Sequence, residues 1–173
     1  KTELIAYTNK KLNTEQGYIC VSRPRRFGKS MAANMLTAYY SRGCDSRELF
    51  QGLKIATHPN FEKHLNQYNV IHLNMRDYLT ESENMKQLIQ FVEDDLLDEL
   101  QQEFSDLRMP RRKTLVKVLE QAFAQYKIPF VFIIDEWDCI FRVHKSDAAS
   151  QKEYLDFLRN LLKDKSYIAL AYM

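Results

Sequence analysis

The sequence predicts an α/β fold built on a mainly parallel sheet, and three observations carry that expectation. Short apolar, β-rich runs alternate with stretches whose apolar residues recur at helical spacing. One such run leads through a basic loop into Gly28-Lys29-Ser30 and then a helical pattern. Another, residues 130–134 (FVFII), ends directly on two carboxylates, Asp135 and Glu136.

Composition narrows the class further. A chain of 173 residues suits one domain with a substantial core, so residues 1–173 are read as a single domain. Its 45% apolar and 28% charged residues are the balance of a globular protein and exclude a disordered or fibrous chain. The formal charge of +2 gives no overall bias toward an acidic partner. Locally, Arg23, Arg25, Arg26 and Lys29 share one loop, Arg108, Arg111, Arg112 and Lys113 surround Pro110, and residues 93–103 are acidic. The second basic cluster reads as a solvated turn between helices, with contact to nucleic acid as its alternative, and the acidic run as the wet face of a helix.

Cys20, Cys44 and Cys139 form no CxxC pair, and His58, His64, His72 and His144 make no ligand motif. Neither a disulfide scaffold nor structural zinc is expected, and a reduced, cytoplasmic compartment is the default. No apolar run approaches about 18 residues, so no membrane-spanning segment is expected. The chain lacks an initiator Met and stops inside the apolar run 167–173, so it reads as a fragment cut short at both ends.

The elements follow in order. Thr2 opens a helix over residues 2 to about 14, with Leu4, Ile5 and Leu12 apolar and Gly17 as breaker. Residues 18–22 (YICVS) form a short buried strand. After the loop, a helix from Lys29 to about Ser41 is expected to bury Met31, Met35, Leu36 and Tyr39, with Gly43 as its stop. Short helices are expected near residues 47–50 and 61–65, and a second strand at 70–75 (VIHLNM). Met85, Leu88, Ile89, Val92, Leu96, Leu100 and Phe104 form one helical stripe. Leu115, Val118, Leu119, Ala122, Phe123 and Tyr126 form another behind Thr114 as N-cap, before Pro129 and the third strand. Ser150 and Glu153 make a capping box for a helix burying Tyr154, Phe157, Leu158, Leu161 and Leu162. Residues 167–172 are the fourth strand.

The stretch Ser22 to Ser30 (SRPRRFGKS) places Gly-Lys-Ser between strand and helix, the context in which loop amides and a helix N-terminus cradle phosphate. Lys29 is expected to reach the β- and γ-phosphates, and Ser30 to offer its hydroxyl to Mg2+. Arg25, Arg26, Phe27, Gly28, Lys29, Ser30 and Met31 are the candidate nucleotide contacts. Arg23 replaces the first glycine of the usual GxxxxGK[ST] pattern. Pro24 after it favours an extended Arg23, which moves the turn later in the loop.

A buried strand can set carboxylates at its end beside the phosphate loop of a neighbouring strand. Asp135 is then expected to hold Mg2+ and Glu136 to orient the attacking water, so that Glu136 and Lys29 are the catalytic candidates. Guanine-reading signatures are absent, so ATP is preferred over GTP by default. Together these features describe a three-layer P-loop NTPase core, incomplete at its C-terminal end.

Residues 20–36 (CVSRPRRFGKSMAANML), 69–78 (NVIHLNMRDY) and 130–142 (FVFIIDEWDCIFR) resemble the AAA-ATPase-like family of bacterial proteins, across essentially the whole chain. An arginine-proline start to the phosphate loop is normal there. The resemblance implies ATP and Mg2+ as ligands and carries Lys29, Ser30, Asp135 and Glu136 into their roles. Fuller members often carry a C-terminal PD-(D/E)XK nuclease-like domain, through which nucleic acid would be a partner, and self-association stays open.

Several residues keep two readings. Arg25 and Arg26 either meet phosphate or a neighbouring subunit, or are solvated. Trp137 either covers the site or packs beneath the loop. Asp138 keeps a catalytic-shell reading beside a structural one, and Asp77 is either a functional group at a strand end or a loop cap. The histidines and cysteines read as structural. At the level of function, a hydrolytic ATPase competes with a nucleotide-binding switch of negligible turnover and with a phosphotransferase. Glu136 favours the first.

Overall fold

The computed structural model describes residues 1–21 and 28–173. Among them the chain forms α1 (Glu3–Asn9), β1 (Tyr18–Ile19), α2 (Lys29–Tyr40), α3 (Arg47–Phe50), a 3-10 turn (Lys54–Thr57), α4 (Phe61–His64), β2 (Asn69–Asn74) and α5 (Met75–Glu81). There follow α6 (Met85–Glu103), α7 (Leu115–Tyr126), β3 (Phe130–Asp135), α8 (Cys139–Val143), α9 (Ala148–Leu162) and β4 (Ile168–Tyr172). The strands make one parallel sheet in the order β1-β4-β3-β2, so the α/β expectation holds.

The chain divides into two compact units. The first, Lys1–Leu73 with Ile128–Asp135 and Ile168–Met173, holds the sheet. Val131 and Ile133 of β3 and Ala169, Leu170 and Tyr172 of β4 join Ile5, Leu36, Tyr39, Tyr40, Phe50 and Phe61 in one core, with α2 packed against β3. β1 pairs with β4 in register Tyr18↔Ala171 and Ile19↔Tyr172. The bonding continues past the strand's end, because the Val21 amide donates to the Met173 carbonyl at 2.7 Å.

Gly17 makes this pairing sterically possible. Its carbonyl accepts from the Ala171 amide at 2.8 Å. A Cβ there would lie 3.1 Å from the Thr14 carbonyl oxygen and 3.2 Å from that of Ala169. It therefore permits a close backbone approach rather than ending a helix. The first helix stops earlier than expected, at Asn9, and turns carry the chain through Asn13, which is left-handed with φ 57°.

α2 starts at Lys29 as the sequence implies, but Met31 is 58% exposed, against the expected burial. The buried positions are Ala33, Leu36, Tyr39 and Tyr40, a stripe that leaves Met31 on another face. The helix ends at Tyr40, within a residue of the expected end, and Ser41, which turns extended and bridges to Tyr68, makes the stop expected of Gly43.

The second unit, Asn74–Lys127 with Glu136–Tyr167, is helical. α6 buries Met85, Leu88, Val92, Leu96 and Leu100, as the stripe predicts, and packs against α5, α7 and α9. α7 ends where Lys127 turns left-handed at φ 59°. α9 buries all five expected residues, yet its cap is Asp147 and not Ser150. The Asp147 carboxylate accepts from the Ser150 amide at 3.0 Å and from its hydroxyl at 2.7 Å, which places Ser150 inside the first turn. Two helices escaped the sequence reading, α5 and α8. Asn74 ends β2 and caps α5 by accepting from the Arg76 amide at 3.2 Å, so strand passes to helix without a linker.

Candidate nucleotide site

Because the strands of the sheet run in one direction, the carboxyl ends of β1, β4 and β3 share one edge. β1 leads from that edge toward α2, and β3 reaches it at Asp135. β4 lies between the two, so the acidic strand is not the immediate neighbour of β1, and the expectation of adjacent strands is corrected. The order of strands in a parallel sheet depends on crossovers, which the local pattern of β1 and β3 does not encode.

Of the candidate nucleotide contacts, Arg25, Arg26 and Phe27 lie outside the described residues, as do Ser22, Arg23 and Pro24. Gly28 begins the described site. It is the N-cap of α2 in the left-handed region, φ 77° and ψ 31°, a conformation suited to glycine. No side chain caps the helix, and its first turn carries no acidic residue. The positive end of this 12-residue helix thus has no capping side chain and no carboxylate in its own first turn. Lys29 is half-buried beside it and Ser30 is exposed.

A cavity of about 550 Å³ adjoins this turn. Gly28, Lys29, Met31, Ala32 and Met35 of α2 form one wall, Val21 and Tyr172 a second, and Lys1, Glu3 and Leu4 a third. Its surface is mainly apolar, and Lys29, Lys1 and Glu3 are the charged residues that line it. The Lys1 ammonium approaches the Met31 sulfur at 3.0 Å. Met31 therefore lines a cavity instead of the core, which accounts for its exposure.

At the end of β3, Asp135 is half-buried. His72 on β2 lies within electrostatic reach of it, and the His72 Nδ1 shares a hydrogen bond with the Thr37 hydroxyl at 3.2 Å. The ring retains solvent contact, yet its packed surroundings pull His72 below the ordinary histidine value, while the Asp135 charge acts the other way.

In the second unit, Glu136 takes a left-handed conformation, φ 52°, which breaks the extended path of β3. Its carbonyl accepts from the Cys139 amide at 2.9 Å and so starts the turn into α8. Arg142, one helical turn after Asp138, donates from Nη1 to Asp138 at 2.7 Å and from Nη2 to Glu136. The Tyr154 hydroxyl donates to the Trp137 carbonyl at 3.0 Å, and Trp137 meets Phe141 edge-on at 5.9 Å. Packing is thus what the structure gives Trp137. Burial pushes the Cys139 thiol up to about 11, leaving it protonated and inert near neutrality. Asp77 sits exposed in the first turn of α5.

Sequence reasoning passed over His72 and Arg142. The i, i+4 spacing of Asp138 and Arg142 was the available signal for the latter. Among the described residues, no cluster of three or more His, Cys, Asp or Glu side chains is arranged to hold a metal, and no helix is long and apolar enough to cross a membrane.

A parallel α/β sheet with a strand, a glycine turn and a lysine-serine helix start at its carboxyl edge defines a P-loop-like core. The family described as predicted AAA-ATPase, AAA-ATPase-like, matches residues 1–169, and the chain belongs to it. No curated protein and no solved structure matches the chain.

Proposed function

We propose that this chain binds Mg-ATP at the start of α2 and hydrolyses it. The observation that carries the reading is the left-handed, uncapped Gly28 turn opening α2 beside a cavity that Lys29 also lines. Backbone amides of that turn would receive phosphate, and Lys29 would offset its charge. The cavity leads away from the turn along Met31 and Met35, and its apolar walls suit the base and ribose.

A hydroxyl and a carboxylate are hard oxygen donors of the kind Mg2+ takes, and Mg2+ commonly keeps several waters and few protein ligands. Ser30, exposed on the first turn of α2, and Asp135, at the same edge of the sheet, would hold it. The ion would neutralise charge developing on the phosphates. Glu136, next in the chain, would orient the attacking water. Membership of a predicted AAA-ATPase family supports the nucleotide and the hydrolysis alike. The same reading has turnover drive or gate a partner, such as a nuclease-like domain acting on nucleic acid, in a reduced cytoplasm.

Calorimetric titration with Mg-ATP, run beside an assay of phosphate release, tests this. Binding with release is expected. Binding without release would make the chain a nucleotide-dependent switch, and failure to bind would overturn the assignment.

A further inference from the structure

Arg142 has no part in the nucleotide reading above, yet its guanidinium spans two of the three carboxylates that follow the β3 apolar run. Nη2 donates to the Glu136 Oε2 and Nη1 to the Asp138 Oδ2 at 2.7 Å. The side chains are 30%, 20% and 35% exposed for Arg142, Glu136 and Asp138, so water screens these contacts less than those of a surface pair. A planar fork that grips two carboxylates fixes direction as well as distance, which a lysine ammonium does not.

We propose that Arg142 is a positioning residue for Glu136, holding its carboxylate in the orientation needed to direct water at the γ-phosphate. The inference rests on the reading of Glu136 as the water-orienting base.

Two further features support a functional over a purely structural pair. Glu136 occupies the left-handed region, φ 52°, which disfavours a residue with a Cβ and persists only where the surroundings impose it. The buried Arg142 Nε and Asp138 Oδ1 have no hydrogen-bond partner among the described residues. A group serving stability alone would be expected to satisfy such atoms. Here the guanidinium spends its two terminal nitrogens on the carboxylates and leaves its third unmatched. Asp138, one turn before Arg142 on α8, steadies the guanidinium from the other side. A glutamate side chain turns about several bonds, and a reacting group held in one geometry gains rate that a swinging one forfeits.

The test is a double-mutant cycle in the intact protein, with kcat and KM from phosphate release and ATP affinity from calorimetry. Arg142→Ala is expected to lower kcat about tenfold or more while ATP affinity stays within about threefold, and Arg142→Lys to recover part of the loss. In the Glu136→Gln background, adding Arg142→Ala should change kcat less than about twofold, since the group it positions is already disabled. An equal loss in both backgrounds would show that Arg142 acts independently of Glu136 and would overturn the inference while leaving the base assignment standing. A wild-type kcat for Arg142→Ala would overturn it as well. Should Glu136→Gln itself turn over at the wild-type rate, the base reading falls and this inference with it. If Arg142→Ala melts early, Arg142→Lys carries the same comparison in both backgrounds.

Discussion

The Asn9 side-chain amide donates to the Tyr39 hydroxyl at 3.0 Å, joining the last residue of α1 to the core face of α2. The Asn9 side-chain carbonyl oxygen accepts from the Tyr40 hydroxyl at 2.8 Å, and the Tyr39 hydroxyl donates to the Phe61 carbonyl at 2.8 Å. Burial pushes Tyr39 up to about 12 and Tyr40 higher still, so both remain neutral donors. The helix that opens at Gly28 is thus anchored at its far end by a satisfied polar network.

Removing Asn9 leaves two buried hydroxyls short of a partner, which costs more than one hydrogen bond's net worth. Asn9→Ala is expected to destabilise the protein by about 2–3 kcal/mol. Tyr39→Phe in the Asn9→Ala background should add less than it does alone, because one bond is already gone. Denaturant unfolding of the two single variants and the double variant measures this, and full additivity would contradict the network.

Nucleotide recognition divides into two halves that separate experimentally. Lys29→Ala is expected to weaken Mg-ATP binding tenfold or more, about 1.4 kcal/mol. Inorganic tripolyphosphate, which lacks base and ribose, should lose affinity in parallel. Ala32→Trp instead fills the cavity beside the turn. It should weaken ATP at least tenfold and leave tripolyphosphate within about threefold. Equal losses for both probes would place the nucleoside elsewhere.

His64 supplies a pH dependence. It is buried on α4, and its Nδ1 meets the Tyr68 hydroxyl at 2.7 Å. Burial, aided by the Lys63 charge, pulls it below the ordinary histidine value, so the folded state favours the neutral ring. The unfolded chain protonates first as pH falls through about 6.5, binding more protons than the native state. The His64 contribution is complete above that pH and is lost on acidification toward the depressed folded value. The slope for this one proton is at most about 1.4 kcal/mol per pH unit. His64→Gln should flatten the unfolding free energy across that window, leaving the contribution of His72, which is also held below the ordinary histidine value. An unchanged profile would exclude the His64 ring as its source.

The sequence discloses elements wherever one physical signal dominates. Val131 to Ile134 read as a buried strand because nothing polar interrupts them, and the α6 stripe reads as a helix because its period is unbroken. The boundaries fail where two local signals compete. Ser150 has the spacing of a cap, but Asp147 takes the role and α9 begins three residues earlier than that cap would put it. α5 is hidden because Asn74 serves both as strand end and as helix cap. At the candidate site, Gly28, Lys29 and Asp135 were legible from residue type and context. The contact of Arg142 with Glu136 was not, because it needs a left-handed glutamate, and side-chain type does not announce a positive φ outside glycine. Nor does a periodicity argument see Met31, whose partner is a cavity.

The two carboxylates at the end of β3 should fail in different ways. Asp135 is half-buried at the sheet edge, where its proposed charge partner is Mg2+. Asp135→Asn keeps the shape but weakens the metal's support, so Mg2+-dependent ATP affinity and turnover should fall together. Glu136 has a proposed role only as the γ-phosphate leaves, when water must be oriented. Glu136→Gln should therefore hold ATP affinity within about threefold while turnover drops about 10²-fold or more, roughly 2.7 kcal/mol of barrier. Titrations with and without Mg2+, paired with single-turnover phosphate release, separate the two patterns. A Glu136→Gln variant that binds ATP poorly would place this carboxylate in ground-state binding. An Asp135→Asn variant that loses as much ATP affinity on Mg2+ removal as the wild type does would take the metal away from Asp135.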